Sequence, residues 1–524
     1  MIRKLWNRLT ARPAQKAASR SVQLHKPSRF SEPVVETTRD ILAEYDAAQT
    51  TTHNSRHWAN SDSLSADESN SVEVRRALRN RARYECQENN SYGKGIALTL
   101  SNDTIGTGPR LQITTPNART NTRIEQAFAT WSKRVHFAKK LRTMRVAKLV
   151  DGEAFLQFVT NPRLDPMGVQ LDLVLVECDQ ISTPLAIFTP NAVDGVQFDE
   201  FGNPTFYHML KQHPGGTYAT GIDFTELPAD QMIHMFRVDR PGQHRGIPEV
   251  TTALPLFAQL RRFTLATISA AETAADFAGV MYTDASAIAE PDEIDAMDAV
   301  ELERNAMLTL PRGWRMAQMK AEHPGTTYDM FVSKILNEIA RCINMPYNIA
   351  AGNSSGYNFA SGRLDHQTYF KSIAVERSEW EHCCLDRVLA AWFDEAALIP
   401  GLLPGNMGSM DELPHTWHWD GREHVDPGKE ANAQETRLKS GTTSYPLEFS
   451  RQGLDWEQQQ VAQATALGLT IEEYREKLVA SLFGASAPVE PEEPEEPEDE
   501  PEDDDTETDE EPVEQGASVD DEDE

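Results

Sequence analysis

The stretch Arg237-Val-Asp-Arg-Pro-Gly-Gln-His-Arg-Gly-Ile-Pro248 separates two kinds of sequence. Pro241-Gly242 has turn chemistry, because proline presets φ and glycine accepts a positive one. Just before it, Met232–Phe236 is a short β-favouring run. Just after it, Ala253, Leu256, Phe257, Leu260, Phe263, Thr267, Ile268, Ala271, Ala274, Ala275 and Ala278 recur at helical spacing. A helix of about 30 residues is about 45 Å long, and its alanine-rich second half suits close approach of other helices. The turn is therefore expected to shape the entry to a long helix and to catalyse nothing.

Toward the N-terminus the pattern is mixed. A helix is expected over Val72–Asn90, carrying Arg75, Arg76, Arg79, Arg81 and Arg83. Residues 94–115 read as alternating strands around the turn glycines Gly106 and Gly108. Helices are expected over Arg123–Val135 and Leu141–Val150, and strands over Glu153–Val159, Val169–Val176, Val193–Phe198, Thr205–Leu210 and Met232–Phe236. Together these predict an α+β domain with a mostly antiparallel sheet.

Toward the C-terminus, an acidic loop (Asp284–Glu303) and short apolar pieces (Met307–Leu310, Trp314–Met319) lead to a second helix, about Thr327–Asn344. On that helix Ile335, Ile339 and Ile343 share one face, and Lys334, Asn337, Glu338 and Arg341 lie on the others. Pro346 ends it, and a loop through Asn353-Ser-Ser-Gly-Tyr-Asn-Phe-Ala-Ser-Gly362 follows. A long helix is expected over about Arg363–Ala397, an irregular stretch over 400–430, and helices over Pro427–Ser440, Trp456–Leu467 and Ile471–Phe483.

The chain has 524 residues and a net charge of −32, unevenly spread. Glu490 to Glu524 holds 22 acids and no base, so residues 1–489 carry 60 acids against 50 bases. That Pro-Glu tail has too little apolar surface to offset its ordering entropy and is expected to be disordered. Residues 1–30 are the opposite, with Arg3, Lys4, Arg8, Arg12, Lys16, Arg20, Lys26 and Arg29 before the first acid, Glu32. Such an arm suits nucleic acid or an acidic partner, or is a solvated arm with no role. No run nears the ~18 apolar residues of a membrane span. The five cysteines (Cys86, Cys178, Cys342, Cys383, Cys384) are scattered and odd in number, which speaks against a disulfide framework and for a reducing cytoplasm. Cys383-Cys384 is expected to be core filler.

Enzyme signals are weak. Gly352-Asn-Ser354-Ser-Gly356 matches a nucleophile elbow, but that motif needs a strand before it and a helix after it. A serine hydrolase with Ser354 as nucleophile is an alternative carried forward for test. His415, His418, His424, Asp420 and Glu423 lack metal-site spacing. Tyr92-Gly-Lys94-Gly95 lacks the remaining residues of a phosphate-binding loop. No catalytic residue, metal or cofactor is assigned.

Five segments, in order, resemble the lambda-like family of phage portal proteins. They are the arginine-rich helix and Gly-x-Gly turn (Arg79 to Gly108), Asp151-Gly-Glu153, the opening stretch 237–248, Met345-Pro-Tyr347 through Ser361-Gly-Arg363, and Trp419 through Val425-Asp-Pro-Gly-Lys429. The resemblance covers roughly residues 70–475. It implies a non-enzymatic ring subunit, typically one of twelve, at a capsid vertex. Its implied partners are further copies of itself, double-stranded DNA in the channel, the terminase large subunit, a major capsid or scaffold protein, and a head-tail connector. It implies no membrane partner, and as its places the virion and, during assembly, the host cytoplasm. Another structural capsid or connector ring is the second alternative.

By position, the resemblance implies a basic polar arm (1–71), an α/β wing (72–247), a first stem helix (248–278), a small α/β clip (279–326), a second stem helix (327–345) and a tunnel loop (346–362). Further wing (363–430), a helical crown (431–484) and the acidic tail (485–524) complete it. The candidate tunnel-loop residues are Asn353, Ser354, Ser355, Gly356, Asn358, Ser361 and Arg363. The candidate channel-facing cations are Lys334, Arg341, Arg261 and Arg262, with ordinary salt bridges as their alternative role. Arg240, Pro241, Gly242, Gln243, Arg245 and Gly246 form the family's structural motif.

Overall fold

The computed structural model describes residues 51–183, 191–217, 223–276, 280–283, 314–317, 326–356, 359–403, 410, 413–421 and 427–483. The expected features at 1–50, Asp284–Glu303, Met307–Leu310 and the acidic tail lie outside these residues, as do Asn358, His424 and Glu423. The described chain forms two units.

In the larger unit, a short helix α1 (Ala66–Ser69) precedes the arginine-rich helix α2 (Val72–Arg83). The chain then widens into a π-helical turn over Tyr84–Asn89. Asn90 starts α3 (Ser91–Ile105), its side chain accepting from the amides of Tyr92 and Gly93 at 3.0 and 3.2 Å. This corrects the strand expectation for residues 94–115, in which only β1 (Arg110–Ile113) is extended. The apolar residues Ile96, Ala97, Leu100 and Ile105 follow helical spacing and are buried. The glycines obscured that pattern, and Gly93 has its own cause: a Cβ there would lie 2.8 Å from the Glu85 carbonyl oxygen.

Helices α4 (Ala118–Arg134) and α5 (Phe137–Val150) follow, hinged at His136 in the left-handed region (φ +54°). Next come β2 (Glu153–Thr160), β3 (Leu171–Val176), β4 (Ala192–Val193), β5 (Val196–Phe198), β6 (Pro204–Leu210), β7 (Phe224–Pro228) and β8 (Met232–Phe236). They make two antiparallel sheets, ordered β3-β2-β8 and β4-β5-β6-β7. Strand β7 was not anticipated, because Thr225, Glu226 and Pro228 dilute its apolar signal. The expected strand Val193–Phe198 is split by a turn at Asp194 (φ +40°) and Gly195 (φ +84°).

The long helix α6 is Leu254–Asp276. Strands β9 (Val280–Thr283) and β10 (Trp314–Ala317) pair antiparallel, and α7 (Thr326–Arg341) follows. The expected loop 346–362 is largely helical at its ends: α8 (Tyr347–Ala351) fills its start and α9 (Phe359–Trp380) begins before Ser361. Pro346 stops one helix but, at an N-cap, also starts the next. A π-helical turn (Glu381–Leu385) joins α9 to α10 (Asp386–Ala397), giving the expected long helical run. The irregular stretch 400–430 contains β11 (His415–His418), which pairs with β1 in the register Arg110↔His418 to Ile113↔His415. The last helix of this unit is α12 (Tyr445–Arg451). The smaller unit contains most of α11 (Pro427–Lys439) and of α13 (Trp456–Ala466), with α14 (Ile471–Phe483).

Two cores matter for function. One gathers Phe128, Trp131, Trp380, Trp392 and Trp417 between α4, the α9–α10 run and the β2/β3 sheet. The other packs Leu100, Phe257, Leu336, Ile339 and Tyr369, so the roots of α6 and α7 are held against α3 and α9. Cys384 is buried in the first core, but Cys383 is exposed, correcting its expected role as core filler. The mixed helix-and-sheet architecture agrees with the α+β expectation, and no described helix is long and apolar enough to cross a membrane.

Candidate functional site

Three of the segments singled out in sequence, the arginine-rich helix, Asp151-Gly-Glu153 and the stretch 237–248, meet around one carboxylate. Glu153, at the start of β2, is 0% exposed. Its Oε1 accepts from Arg245 Nη2 at 2.5 Å and Arg79 Nη2 at 3.1 Å. Its Oε2 accepts from Arg245 Nε at 2.9 Å and the Gly246 amide at 3.2 Å, and lies 3.0 Å from His234 Nε2. A carboxylate in a dry interior is costly unless its lone pairs are filled by charged donors, and here they are.

The strand, the turn and the arginine helix are thereby fixed together. Gly152 (φ +90°) and Gly246 face each other: a Cβ on the first would run into the Ile247 backbone, and one on the second into the Gly152 carbonyl. Arg245 Nη1 also donates to the carbonyls of Ile181 (3.1 Å) and Asp194. Arg75 pairs with Asp194, and Arg79 with Asp179 at 2.6 Å. Arg83 joins Asp151 (2.6 Å) and Asp179 (2.8 Å). Burial alone would raise the Glu153 carboxyl, but Arg245 and His234 outweigh it and hold it well below the usual range. Burial pushes His234 down, only partly opposed by Glu153, so its ring stays neutral and donates.

The turn itself is self-supporting. Gln243 Oε1 accepts from the amides of Asp239 (2.9 Å) and Arg240 (3.3 Å), and its Nε2 donates to the Arg245 carbonyl at 2.9 Å. Pro241 and Gly242 (φ +78°) are exposed at its tip. Arg240 reaches back to Ser69 Oγ (3.0 Å) and the Leu64 carbonyl (2.9 Å), while the His244 amide and ring meet Asp67 at 3.0 and 2.7 Å. The turn thus clasps α1. A second meeting point joins the Gly106-Thr-Gly108 turn to the Trp419 segment: Asp420 accepts from the Thr107 amide and hydroxyl at 2.5 and 2.6 Å.

The expected channel residues are exposed and scattered over three helices and a turn. Arg261 donates to the Asn89 carbonyl at 3.2 Å, and Arg341 to Asn344 Oδ1 at 3.1 Å. Arg262, Lys334 and Arg363 are exposed, as are Asn353, Ser354, Ser355 and Gly356. Asn353 Oδ1 caps the Ser355 amide at 3.0 Å, a local turn. The side chain of Ser361 lies outside the described residues.

The enzyme alternatives lose their geometry. The residues before Ser354 form α8 where a nucleophile elbow needs a strand. His366 is engaged with Asn348 at 2.9 Å. His415 lies 3.2 Å from Asp386, His418 meets Gln112, and Asp420 meets Thr107, so these three do not converge. The one grouping with metal-like spacing among the described residues, Glu177, Asp179 and His213, has its two carboxylates already paired with Arg83.

Sequence reading marked Glu153 and Arg245 as motif members but did not foresee that they bind each other, or that His234 joins them. A β2 strand opening on Glu in an otherwise apolar run was the available signal. What fold and site define is a scaffold whose interior is tied by ion pairs. Residues 52–377 match the family described as phage portal protein, lambda family, and the chain belongs to it. A probable portal protein of Halomonas phage phiHAP-1 is 26% identical over 364 residues, covering 63% of this chain and 67% of that protein. The neck of the native GTA particle computed with C12 symmetry aligns at a TM-score of 0.39 and 13% identity, covering 72% of this chain and 94% of that one. The virion of the native gene transfer agent particle aligns at 0.39 and 14%, covering 73% and 99%. Likeness at that level adds nothing to the family assignment.

Proposed function

We propose that this portal protein assembles into a homo-oligomeric ring at the capsid vertex. Duplex DNA is packaged through the ring by terminase and later ejected, and a connector or tail docks beneath it. In this reading, residues 72–247 and part of 363–430 are the wing, and 248–278 and 327–345 the stem. Residues 279–326 are the clip, 346–362 the tunnel loop and 431–484 the crown. Its setting is the host cytoplasm during assembly and then the virion.

The observation that carries this reading is the state of α6 beyond Leu260. Leu265 and Ile268 are 55% and 50% exposed, and Met330 and Phe331 are exposed on α7. Among the described residues, Phe263 is the ring that packs across the pair, 5.6 Å from Tyr328 and 4.2 Å from Phe331. An exposed apolar stripe on a long helix marks a surface that partners fill, and in a closed ring every copy supplies the same surface to its neighbour.

A conduit must hold DNA without gripping it, since each phosphate contact adds salt-dependent affinity. Five exposed arginines and lysines (Arg261, Arg262, Lys334, Arg341, Arg363) on a net-negative body suit that demand. Negative-stain microscopy with mass measurement tests the ring: annular particles near twelve subunits support it, and homogeneous monomers at all concentrations argue against it. Deleting Asn353–Gly356 should leave rings intact while lowering packaging or DNA retention. Normal packaging and retention would remove the tunnel-loop role.

A further inference from the structure

Between Asp103 and Asp151 the sequence reverses the acidic balance of the body. Glu125 is the one acid there, against ten arginines and lysines. Helix α4 sorts its share of them by face. Asn121, Ile124, Phe128 and Trp131 are buried. Arg119, Arg123, Gln126, Thr130, Lys133 and Arg134 are exposed, and at helical spacing they share one sector of about 100° on the opposite side. From Arg119 to Lys133 this face runs about 21 Å. His136, at the hinge, and Lys139, in the first turn of α5, are exposed beyond it. Glu125 is turned aside, its Oε1 accepting from the Ile113 amide at 2.8 Å.

The surroundings leave most of this charge uncompensated. Arg134 pairs with Asp165, and Lys140 with Asp172 at 2.8 Å. Arg123 donates to the Gly401 carbonyl, a neutral partner. Arg119, Lys133 and Lys139 make no ion pair among the described residues. Helix electrostatics do not account for the row. Lys133 and Arg134 suit a helix C-terminus, but Arg119 is the second residue of α4, at the end that disfavours a cation. Arg119 and Arg123 are like charges at i, i+4, which repel. A merely solvated face mixes its signs. A protein-binding face centres on large anchors such as Trp, Tyr or Arg in well-packed pockets, and no residue from Arg110 to Val150 is an exposed large hydrophobic. A row of cations without such an anchor matches a phosphate backbone.

We propose that the outward face of α4, with its hinge to α5, binds the phosphates of duplex DNA irrespective of base sequence. It is a second DNA surface, separate from the proposed channel residues on α6, α7 and α9, and it needs no ring.

The test titrates the full-length protein into fluorescently labelled duplexes of two unrelated sequences and follows anisotropy over a range of potassium chloride. Both duplexes should bind alike. Arg119→Gln/Arg123→Gln/Lys133→Gln/Lys139→Gln should weaken binding at least ten-fold at low salt. It should also make the plot of log affinity against log salt shallower by about two to four, since each phosphate contact adds about 0.9 to that slope. If this variant does not fold, Arg119→Gln/Lys133→Gln/Lys139→Gln, which keeps the Arg123 contact with Gly401, should move both readouts in the same direction. Arg76→Gln/Arg81→Gln/Lys94→Gln/Lys477→Gln removes as many exposed charges elsewhere and should bind as wild type. Absence of binding, or unchanged affinity and slope in the α4 variants, which would leave the basic arm (1–30) as the binder, overturns the proposal. So does equally tight binding of poly-glutamate that the same variants lose, which would assign the face to an acidic protein.

Discussion

Glu153 and the outer half of α6 are opposite solutions to one problem. At Glu153 a charge is sealed in the interior, and every lone pair is answered by the same chain. From Leu265 to Thr273 a largely apolar and alanine-rich helix is left to water, with no residue fully buried. The first arrangement is complete within one chain, whereas the second leaves apolar surface open, the surface that the proposed ring would cover.

The sharpest way to break the contrast is Glu153→Gln. It leaves the buried Arg245 without its nearest counter-charge and Arg79 with Asp179 alone, and should cost about 3–5 kcal/mol, read by urea denaturation of the isolated chain. A loss under 1 kcal/mol would mean that the cluster is not self-contained. Next is Gly246→Ala, whose methyl meets the Gly152 carbonyl. It should cost about 1–3 kcal/mol, and Gly242→Ala, with open space around it but φ +78°, should cost less.

The pH response is smaller. Because the folded protein keeps His234 neutral, the unfolded chain takes up a proton near its ordinary value of 6.5 that the folded chain refuses until lower pH. Stability therefore falls on acidification below about 6.5. Glu153 adds to this at more acid pH: its contribution is present above its ordinary value of 4.5 and is lost as pH falls through the depressed folded value. Thermal melts of His234→Gln should show a shallower decline between pH 7 and 5 than wild type. The smallest effect on the isolated chain belongs to Leu265→Glu with Ile268→Glu, which should stay within about 0.5 kcal/mol of wild type. The same pair should abolish rings under the microscope, and intact rings would sever the link between this stripe and assembly.

Much of this was legible in advance because long apolar periodicities survive local noise. The helices at 118–134, 254–276 and 471–483 and the strands at 153–160 and 232–236 follow their patterns to within a few residues, apart from the extra turn at the start of the first. The failures have physical causes. Gly93 and Gly95 diluted a helical stripe that Asn90 caps and Glu85 crowds. Pro346 was read only as a terminator. Strand β11 is four residues long and exists because β1 supplies its hydrogen bonds, so no local signal announces it. The ion cluster was legible as motifs but not as contacts, since the pairing of residue 153 with 245 depends on tertiary folding. The candidate channel cations lie on the surface, where sequence cannot separate a DNA contact from the local caps that Arg261 and Arg341 make.

The pairing of Arg110 with His418 also has a consequence for synthesis. Strand β1 emerges from the ribosome some 300 residues before its partner, a wait of about 15–60 s at ~5–20 residues per second. For most of that interval Phe128 lacks Trp392, and for all of it Trp417, two of its ring neighbours. The first core therefore stays open until translation is four-fifths done, so a nascent chain truncated before β11 should bind chaperones, while one extended past it should release them.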